Sequence, residues 1–152
     1  MQRIPEPEIM DLADEVAAYA GADFSTVNAA FVNRLLDLAG ALESPIALDL
    51  GSGPGDIPLR LAQTRARWRI IGSDYSWPML AMARAAGGAN QISWLGADAK
   101  AMPFPEAAID VVFSNSILHH IPDPMPFWRE VRRILAPEGR VFLRDLARPD
   151  SP

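Results

Sequence analysis

The sequence predicts an α/β protein with a doubly wound, mainly parallel sheet of about five strands and an N-terminal helical cap. Three observations carry that expectation. Short apolar runs alternate with amphipathic segments from residue 46 onward, a glycine-rich loop follows the first of those runs, and two segments of helical period precede it. The 152 residues suit one domain, 1–152, with the cap over 1–43 and the α/β core over 44–148.

The elements follow in order. After a Pro-rich opening, Ile9, Leu12, Ala13, Val16 and Ala17 recur at helical spacing, and Val27, Phe31, Leu35, Leu36 and Leu38 repeat the pattern, so two helices are expected with a break near Gly21. Ser44-Pro45 ends that pattern. Ile46-Ala47-Leu48-Asp49-Leu50 then reads as a strand covered on both faces. A helix carrying Ile57, Leu59, Leu61 and Ala62 and a strand at Trp68-Arg69-Ile70-Ile71-Gly72 complete a βαβ unit. The alternation continues with a helix from Pro78 to Ala86, strands at Ile92 to Leu95 and Ile109 to Ser114, a helix from Pro126 to Leu135, and a strand from Arg140 to Leu146. Ala136-Pro137-Glu138-Gly139 is expected to turn into that last strand.

Composition removes several classes of function. There is no cysteine, which excludes disulfides, thiolate metal sites and a cysteine nucleophile. Fourteen Lys and Arg stand against 19 Asp and Glu, a net charge of −5 that disfavours a nucleic-acid partner. The opening Met1-Gln2-Arg3-Ile4-Pro5 lacks the features of a signal peptide, and no apolar run is long enough to span a bilayer, so a cytoplasmic protein without a membrane partner is expected. With two histidines and no patterned carboxylates, no metal site is expected.

The chemistry concentrates in Asp49-Leu50-Gly51-Ser52-Gly53-Pro54-Gly55, where a strand turns into a helix and glycines let a ligand approach the backbone. Alone such a loop is as often a tight turn. Asp74, at the end of the second strand, is placed where an acid takes the hydroxyls of a ribose, with a solvated strand end as the alternative. The glycine spacing departs from a dinucleotide fingerprint, because Gly55 follows Gly53 by two residues rather than three. Asp56 comes next and would repel a pyrophosphate at the helix start, so the loop favours a ligand without phosphates. The sequence has no Gly-Lys-Ser or Gly-Lys-Thr motif of a P-loop.

The stretch Ala47 to Gly55 resembles motif I of the class I S-adenosylmethionine-dependent methyltransferases. The similarity extends through Ile71-Gly72-Ser73-Asp74-Tyr75-Ser76, Met79-Leu80, Gly96-Ala97-Asp98-Ala99 and Ser114-Asn115-Ser116-Ile117-Leu118-His119-His120-Ile121. That resemblance implies a Rossmann-like fold, S-adenosyl-L-methionine as cofactor and a small-molecule methyl acceptor. It also implies that the backbone of Gly51, Ser52, Gly53 and Gly55 lies against the methionine part, and that Asp49 orients the amine while Asp74 takes the ribose hydroxyls. Tyr75 and Met79 would flank the adenine, Asp98 and Ala99 would recognise its amino group and ring edge, and Asn115 would lie near the methionine moiety. Two bland readings compete with parts of this set: Asp98 could cap the following turn, and aromatic and Met side chains more often fill cores, for which reason Trp77 is left out.

Catalytic residues are not identifiable from the sequence. Methyl transfer needs an aligned nucleophile and exclusion of water more than a triad. His119 or His120 could serve as a base, but capping or packing is the preferred reading of the pair. Arg129, Arg132, Arg133, Arg140 and Arg144 read as a solvated face. Tyr19 and Phe24 fall at the junction of the two cap helices, and Phe24 could equally be core. The resemblance implies seven strands, the last two forming a hairpin, whereas this sequence supplies five and ends on a loop-like Arg148-Pro149-Asp150-Ser151-Pro152. The strand from Val141 to Leu146 is therefore expected at an uncovered edge, where a homodimer could form. Three functions stay open: an active small-molecule methyltransferase, a cofactor-binding domain without turnover, and a nicotinamide-dependent oxidoreductase.

Overall fold

The computed structural model describes residues 10–87 and 91–146. The Pro-rich opening, Ile9 of the first helical pattern and the ending from Arg148 to Pro152 lie outside the described residues. Helices α1 (Ala13–Gly21) and α2 (Ser25–Ala39) come first, and then β1 (Ile46–Leu50), α3 (Asp56–Thr64), β2 (Arg69–Asp74), α4 (Trp77–Ala85), β3 (Ile92–Gly96) and β4 (Ile109–Asn115). A single 3-10 turn at Leu118–His120, α5 (Met125–Ile134) and β5 (Leu135–Arg144) follow.

The five strands form one parallel sheet in the order β3-β2-β1-β4-β5. The chain winds outward from β1 through β2 and β3, then crosses to β4 on the other side. Strand direction is shared, so Leu50, Asp74, Gly96, Asn115 and Arg144 all fall at the carboxyl edge of the sheet. Ligands bind at that edge, near the point where the strand order reverses, in open sheets of this kind.

Alternate residues of each strand face opposite sides of the sheet, and the core is accordingly double. On one face Ala47, Ile70, Val111 and Phe113 pack with Phe31, Val32, Leu35 and Ala39 of α2 and with Leu61 and Ala62 of α3. On the other, Leu48, Leu50 and Val112 pack with Phe127, Val131 and Ile134 of α5. Phe31 stands 6.3 Å from Phe113 and 4.6 Å from Phe142, ring centre to ring centre, and so ties α2 to β4 and β5. The N-terminal segment is held at the start of α4, where the Ser76 hydroxyl donates to the Met10 carbonyl at 2.8 Å.

Two details differ from the sequence expectation. The turn expected at Ala136-Pro137-Glu138-Gly139 is an irregularity within β5: Ile109 pairs with Leu135 and Val111 with Arg140, leaving residues 136–139 opposite Asp110 alone. Pro137 has no N–H for a ladder, and Glu138 takes the left-handed region at φ 62°, so the strand bulges instead of stopping. Arg133 also leaves the predicted solvated face. Its guanidinium bonds Glu130 at 2.6 Å and 2.9 Å and the carbonyls of Met102 and Phe104 at 3.0 Å and 2.8 Å. Glu130 in turn accepts from the Met102 N–H at 2.7 Å, so α5 holds the loop between β3 and β4 through a shared ion pair.

Candidate functional site

The glycine loop is pinned to the neighbouring strand before it reaches any ligand. The N–H groups of Gly51 and Ser52 both donate to the Ser73 carbonyl, at 2.9 Å and 2.8 Å, and the Ser73 hydroxyl donates to the Asp49 carbonyl at 2.8 Å. Gly53 then donates its N–H to Asp74 Oδ2 at 2.7 Å, while Ser76 N–H donates to Oδ1 at 2.8 Å. Asp74 thus bridges the loop and the start of α4. With the further backbone hydrogen bond from Tyr75, the carboxylate keeps lone-pair capacity for one more donor.

Two hollows open beside this loop. The larger, of about 620 Å³, is lined by Gly51, Gly53, Asp74, Tyr75, Met79, Asp98, Ala99 and Asn115 of the predicted set. The smaller, of about 270 Å³, is lined by Asp49 and Ser52, and the two share Tyr19, Phe24, Asn28, Gly51 and Asn115. The fold therefore brings together ten of the eleven predicted residues. The exception is Gly55, which lines neither hollow. It is left-handed at φ 89°, and a Cβ there would lie 2.5 Å from the Trp94 ring and 3.0 Å from Ala83, so its smallness serves packing beneath the loop. Gly53 differs: its φ is 53°, and the nearest atom to an added Cβ is Tyr19 Cε1 at 3.7 Å, which leaves its open side facing the hollow.

The site is electronegative and unsatisfied. Asp49 is 2% exposed, Asp49 Oδ1 and Ser52 Oγ are buried without a partner, and burial followed by the nearby Asp74 charge raises the Asp49 carboxyl well above the usual range. Asp74 is raised by burial too, against the lowering effect of its backbone hydrogen bonds from Ser76, Gly53 and Tyr75. The Tyr19 phenol is raised by burial and then by Asp74 and Asp49, so it stays a neutral donor beside two carboxylates. Such a pocket calls for a ligand bearing a cation and hydroxyl donors.

Asp98 reads from the sequence as an adenine contact or as the cap of a turn, and the structure shows the second. Its Oδ1 accepts from the Lys100 N–H at 2.8 Å and pairs with Lys100 Nζ at 3.0 Å, holding the turn, and the residue lines the large hollow as well. Met79 is buried and Tyr75 half exposed against the hollow, whereas Trp77 lies outside it and packs over Gly96. Sequence reasoning missed the opposite wall: Val27 and Asn28 of α2, Ser116 and Ile117 after β4, and Arg144, Asp145 and Leu146 at the end of β5. Arg144 does not belong to a solvated face: it is half-buried, and its Nε donates to Asn115 Oδ1 at 2.9 Å. Its signal was positional, since it ends the strand beside the one that ends in Asn115. His119 Nδ1 lies 2.8 Å from Asp145 Oδ1, and Asp145 also accepts from the N–H groups of Leu118 and Leu146 at 2.6 Å and 2.7 Å.

The fold and the loop together define a class: an α/β domain that binds a nucleoside-like cation at the carboxyl edge of its sheet. Residues 48–143 match the family model described as the methyltransferase domain, and the chain belongs to that family. It is 35% identical over 118 residues to a demethylmenaquinone methyltransferase of Thermus thermophilus, covering 76% of this chain and 54% of that protein. It is 32% identical over 110 residues to a trans-aconitate 2-methyltransferase of an Azoarcus species, covering 72% and 42%. The chain spans about half the length of these curated relatives. Among solved structures, the [4+2]-cyclase SpnF superposes with a TM-score of 0.70 at 25% identity, over 80% of this chain and 46% of that one. Coclaurine N-methyltransferase bound to N-methylheliamine and S-adenosylhomocysteine does so with a TM-score of 0.69 at 18% identity, over 80% and 36%. The fold is the Rossmann-like one of class I S-adenosylmethionine-dependent methyltransferases, as the motifs implied.

Proposed function

We propose that this chain is the cofactor-binding part of an enzyme that transfers a methyl group from S-adenosylmethionine to a small-molecule acceptor. The observation that carries the reading is the buried, partnerless carboxylate of Asp49 beneath a glycine loop whose open face is at Gly53. When bound, S-adenosylmethionine supplies an activated methyl group on a sulfonium. Asp49 and Ser52 receive the methionine amine in the smaller hollow. Gly51 and Gly53 admit the methionine chain along their backbone, with Asn115 on its other side, and Gly55 shapes the loop through Trp94. Asp74 accepts the ribose hydroxyls. Tyr75 and Met79 enclose the adenine, with Asp98 and Ala99 at its polar edge.

The remaining wall of the large hollow, from α2, the segment after β4 and the end of β5, takes the acceptor and keeps water from it. Orientation and water exclusion do most of the catalytic work there. Residues 1–152 form one domain in this reading, with 1–43 as cap and 44–148 as core. The protein acts in the cytoplasm on an acceptor other than nucleic acid, consistent with its acidic balance. Among the described residues no helix is long and apolar enough to cross a membrane. A homodimer through the outer edge of β5 belongs to the same proposal: no strand among the described residues pairs beyond β5. Sedimentation over a concentration series should reveal it, with a strictly monomeric chain refuting it.

A cyclase shares this fold, so the decisive experiment measures the methyl group itself. The wild-type chain is incubated with S-adenosylmethionine labelled on its methyl and a panel of small-molecule acceptors, and transfer is followed by mass spectrometry. Labelled product above a Gly53→Val control supports the reading. Cofactor binding without transfer to any acceptor would leave a binding domain in its place.

A further inference from the structure

We propose that Arg144 forms an anion-binding subsite for the acceptor, which makes the acceptor an acid with an apolar body. The inference rests on the cofactor reading above and names the substrate class of that same site. Arg144 ends β5 directly beside Asn115, the end of β4. Its Nε donates to Asn115 Oδ1 at 2.9 Å, its Nη1 donates to the Val27 carbonyl at 3.0 Å, and its guanidinium carbon sits 5.2 Å from the centre of the Phe31 ring. Three contacts from two elements, β4 and α2, fix the guanidinium plane, and none of them neutralises it. Among the described residues Arg144 has no carboxylate within ion-pair distance, and Nη2 makes no hydrogen bond. The adjacent Asp145 is turned to His119 and two backbone N–H groups.

A guanidinium is always charged, and a half-buried one that lacks a counter-ion is costly unless a ligand supplies one. Arg144 lines the 620 Å³ hollow, whose other long cation, Lys100, is paired with Asp98 at 3.0 Å. It does not line the smaller hollow of Asp49 and Ser52, although its partner Asn115 lines both. Apolar side chains of Phe24, Val27, Ile117 and Leu146 line the same hollow, together with the carboxylates of Asp74, Asp98 and Asp145. An acid whose carboxylate meets Nη2 and whose hydrocarbon rests on those side chains fits both features. With Nε and Nη1 engaged, Nη2 is the nitrogen left to donate to a carboxylate oxygen in the guanidinium plane.

The test titrates hexanoate and benzoate, with hexanamide and benzamide as neutral isosteres, into the wild type, Arg144→Gln and Arg144→Lys. Each is measured with and without saturating S-adenosylhomocysteine. The acids should bind the wild type at least about tenfold more tightly than the amides, the low end for a charged hydrogen bond. Arg144→Gln should erase that preference and Arg144→Lys should keep part of it. Acids that bind the wild type no better than amides, or a preference that survives in Arg144→Gln, would overturn the proposal. A second arm compares S-adenosylhomocysteine with its decarboxylated analogue: a tenfold loss in Arg144→Gln for the former alone would assign Arg144 to the cofactor's carboxylate and also overturn it. Failure of S-adenosylhomocysteine to bind any of the three proteins would instead remove the cofactor reading, leaving the acid-to-amide comparison on the free chain to judge Arg144. Because Arg144 also joins β5 to α2, Arg144→Gln is checked by thermal unfolding. Were it unfolded, the wild-type comparison and Arg144→Lys still decide.

Discussion

Replacing Asp49 by asparagine should push stability and cofactor affinity in opposite directions. Asp49 is buried between β2 and β4, makes no hydrogen bond through its Oδ1, and lies in the field of Asp74. Its raised carboxyl means that the folded protein holds the proton more tightly than the unfolded chain does. Between the unfolded value, roughly 3.9, and the higher folded one, stability therefore falls as pH rises, so ionising the group in the folded protein is a net cost. The amide of Asp49→Asn keeps the shape without the charge. The amide is still polar, so the gain is relief of the buried charge alone, about 1–3 kcal/mol, which in a domain of this size is a rise of several degrees in the ligand-free melting temperature. The same substitution removes the negative charge that faces a cationic amine, a loss of about 1.5–3 kcal/mol or roughly 10- to 150-fold in Kd for S-adenosylhomocysteine. Scanning calorimetry from pH 4 to 8 and isothermal titration read the two quantities. The wild type should also bind S-adenosylhomocysteine less tightly as pH falls through the raised Asp49 value, and the variant should lose that dependence. A ligand-free variant less stable than wild type at pH 7, or one that binds equally well, would refute the reasoning.

Other substitutions separate ligand contact from packing. Asp74→Ala should weaken S-adenosylhomocysteine binding by about 1.5–3 kcal/mol and lower stability as well, because the N–H groups of Gly53 and Ser76 lose their acceptor; titration and melting curves give both. Gly53→Val should abolish cofactor binding by filling the open side of the loop and straining φ 53°, whereas Gly55→Ala should act first on melting temperature, since its Cβ meets Trp94 at 2.5 Å. Glu130→Ala should cost about 1–3 kcal/mol by orphaning the Met102 N–H and the Arg133 guanidinium, without changing affinity for the cofactor. The Arg133 hydrogen bond lowers the Glu130 carboxyl, so its stabilisation is present above roughly pH 4.3 and is lost as pH falls through the folded value, a dependence the variant should lack in acid melts. His119→Ala and His120→Ala should each leave methyl transfer measurable on any acceptor found; a loss of several orders of magnitude in a folded variant would name a base.

Most residues that gather around the glycine loop were legible because their signals are local. Asp49, the loop glycines and Asp74 are fixed by a strand, a turn and the next strand, and β1 was placed at its observed bounds by its short, mostly apolar run after Ser44-Pro45. The acceptor side was not legible, because it is assembled from three distant stretches whose residues say little alone. Arg144 looks like one member of an arginine series until register sets it beside Asn115, and Arg133 looks exposed until Glu130 is seen to share it with the loop after β3. Gly55 has a second constraint that the sequence hid for a different reason. Its place in a ligand motif concealed a packing duty that only Trp94, from another strand, makes visible.

The central claim is the identity of the cofactor, and isothermal titration of one wild-type sample with S-adenosylmethionine, S-adenosylhomocysteine and NAD tests it most directly. The account predicts saturable binding of the first two at a single site and none of NAD, whose pyrophosphate would meet Asp56 at the start of α3. Saturable binding of NAD with no heat from S-adenosylhomocysteine would contradict it.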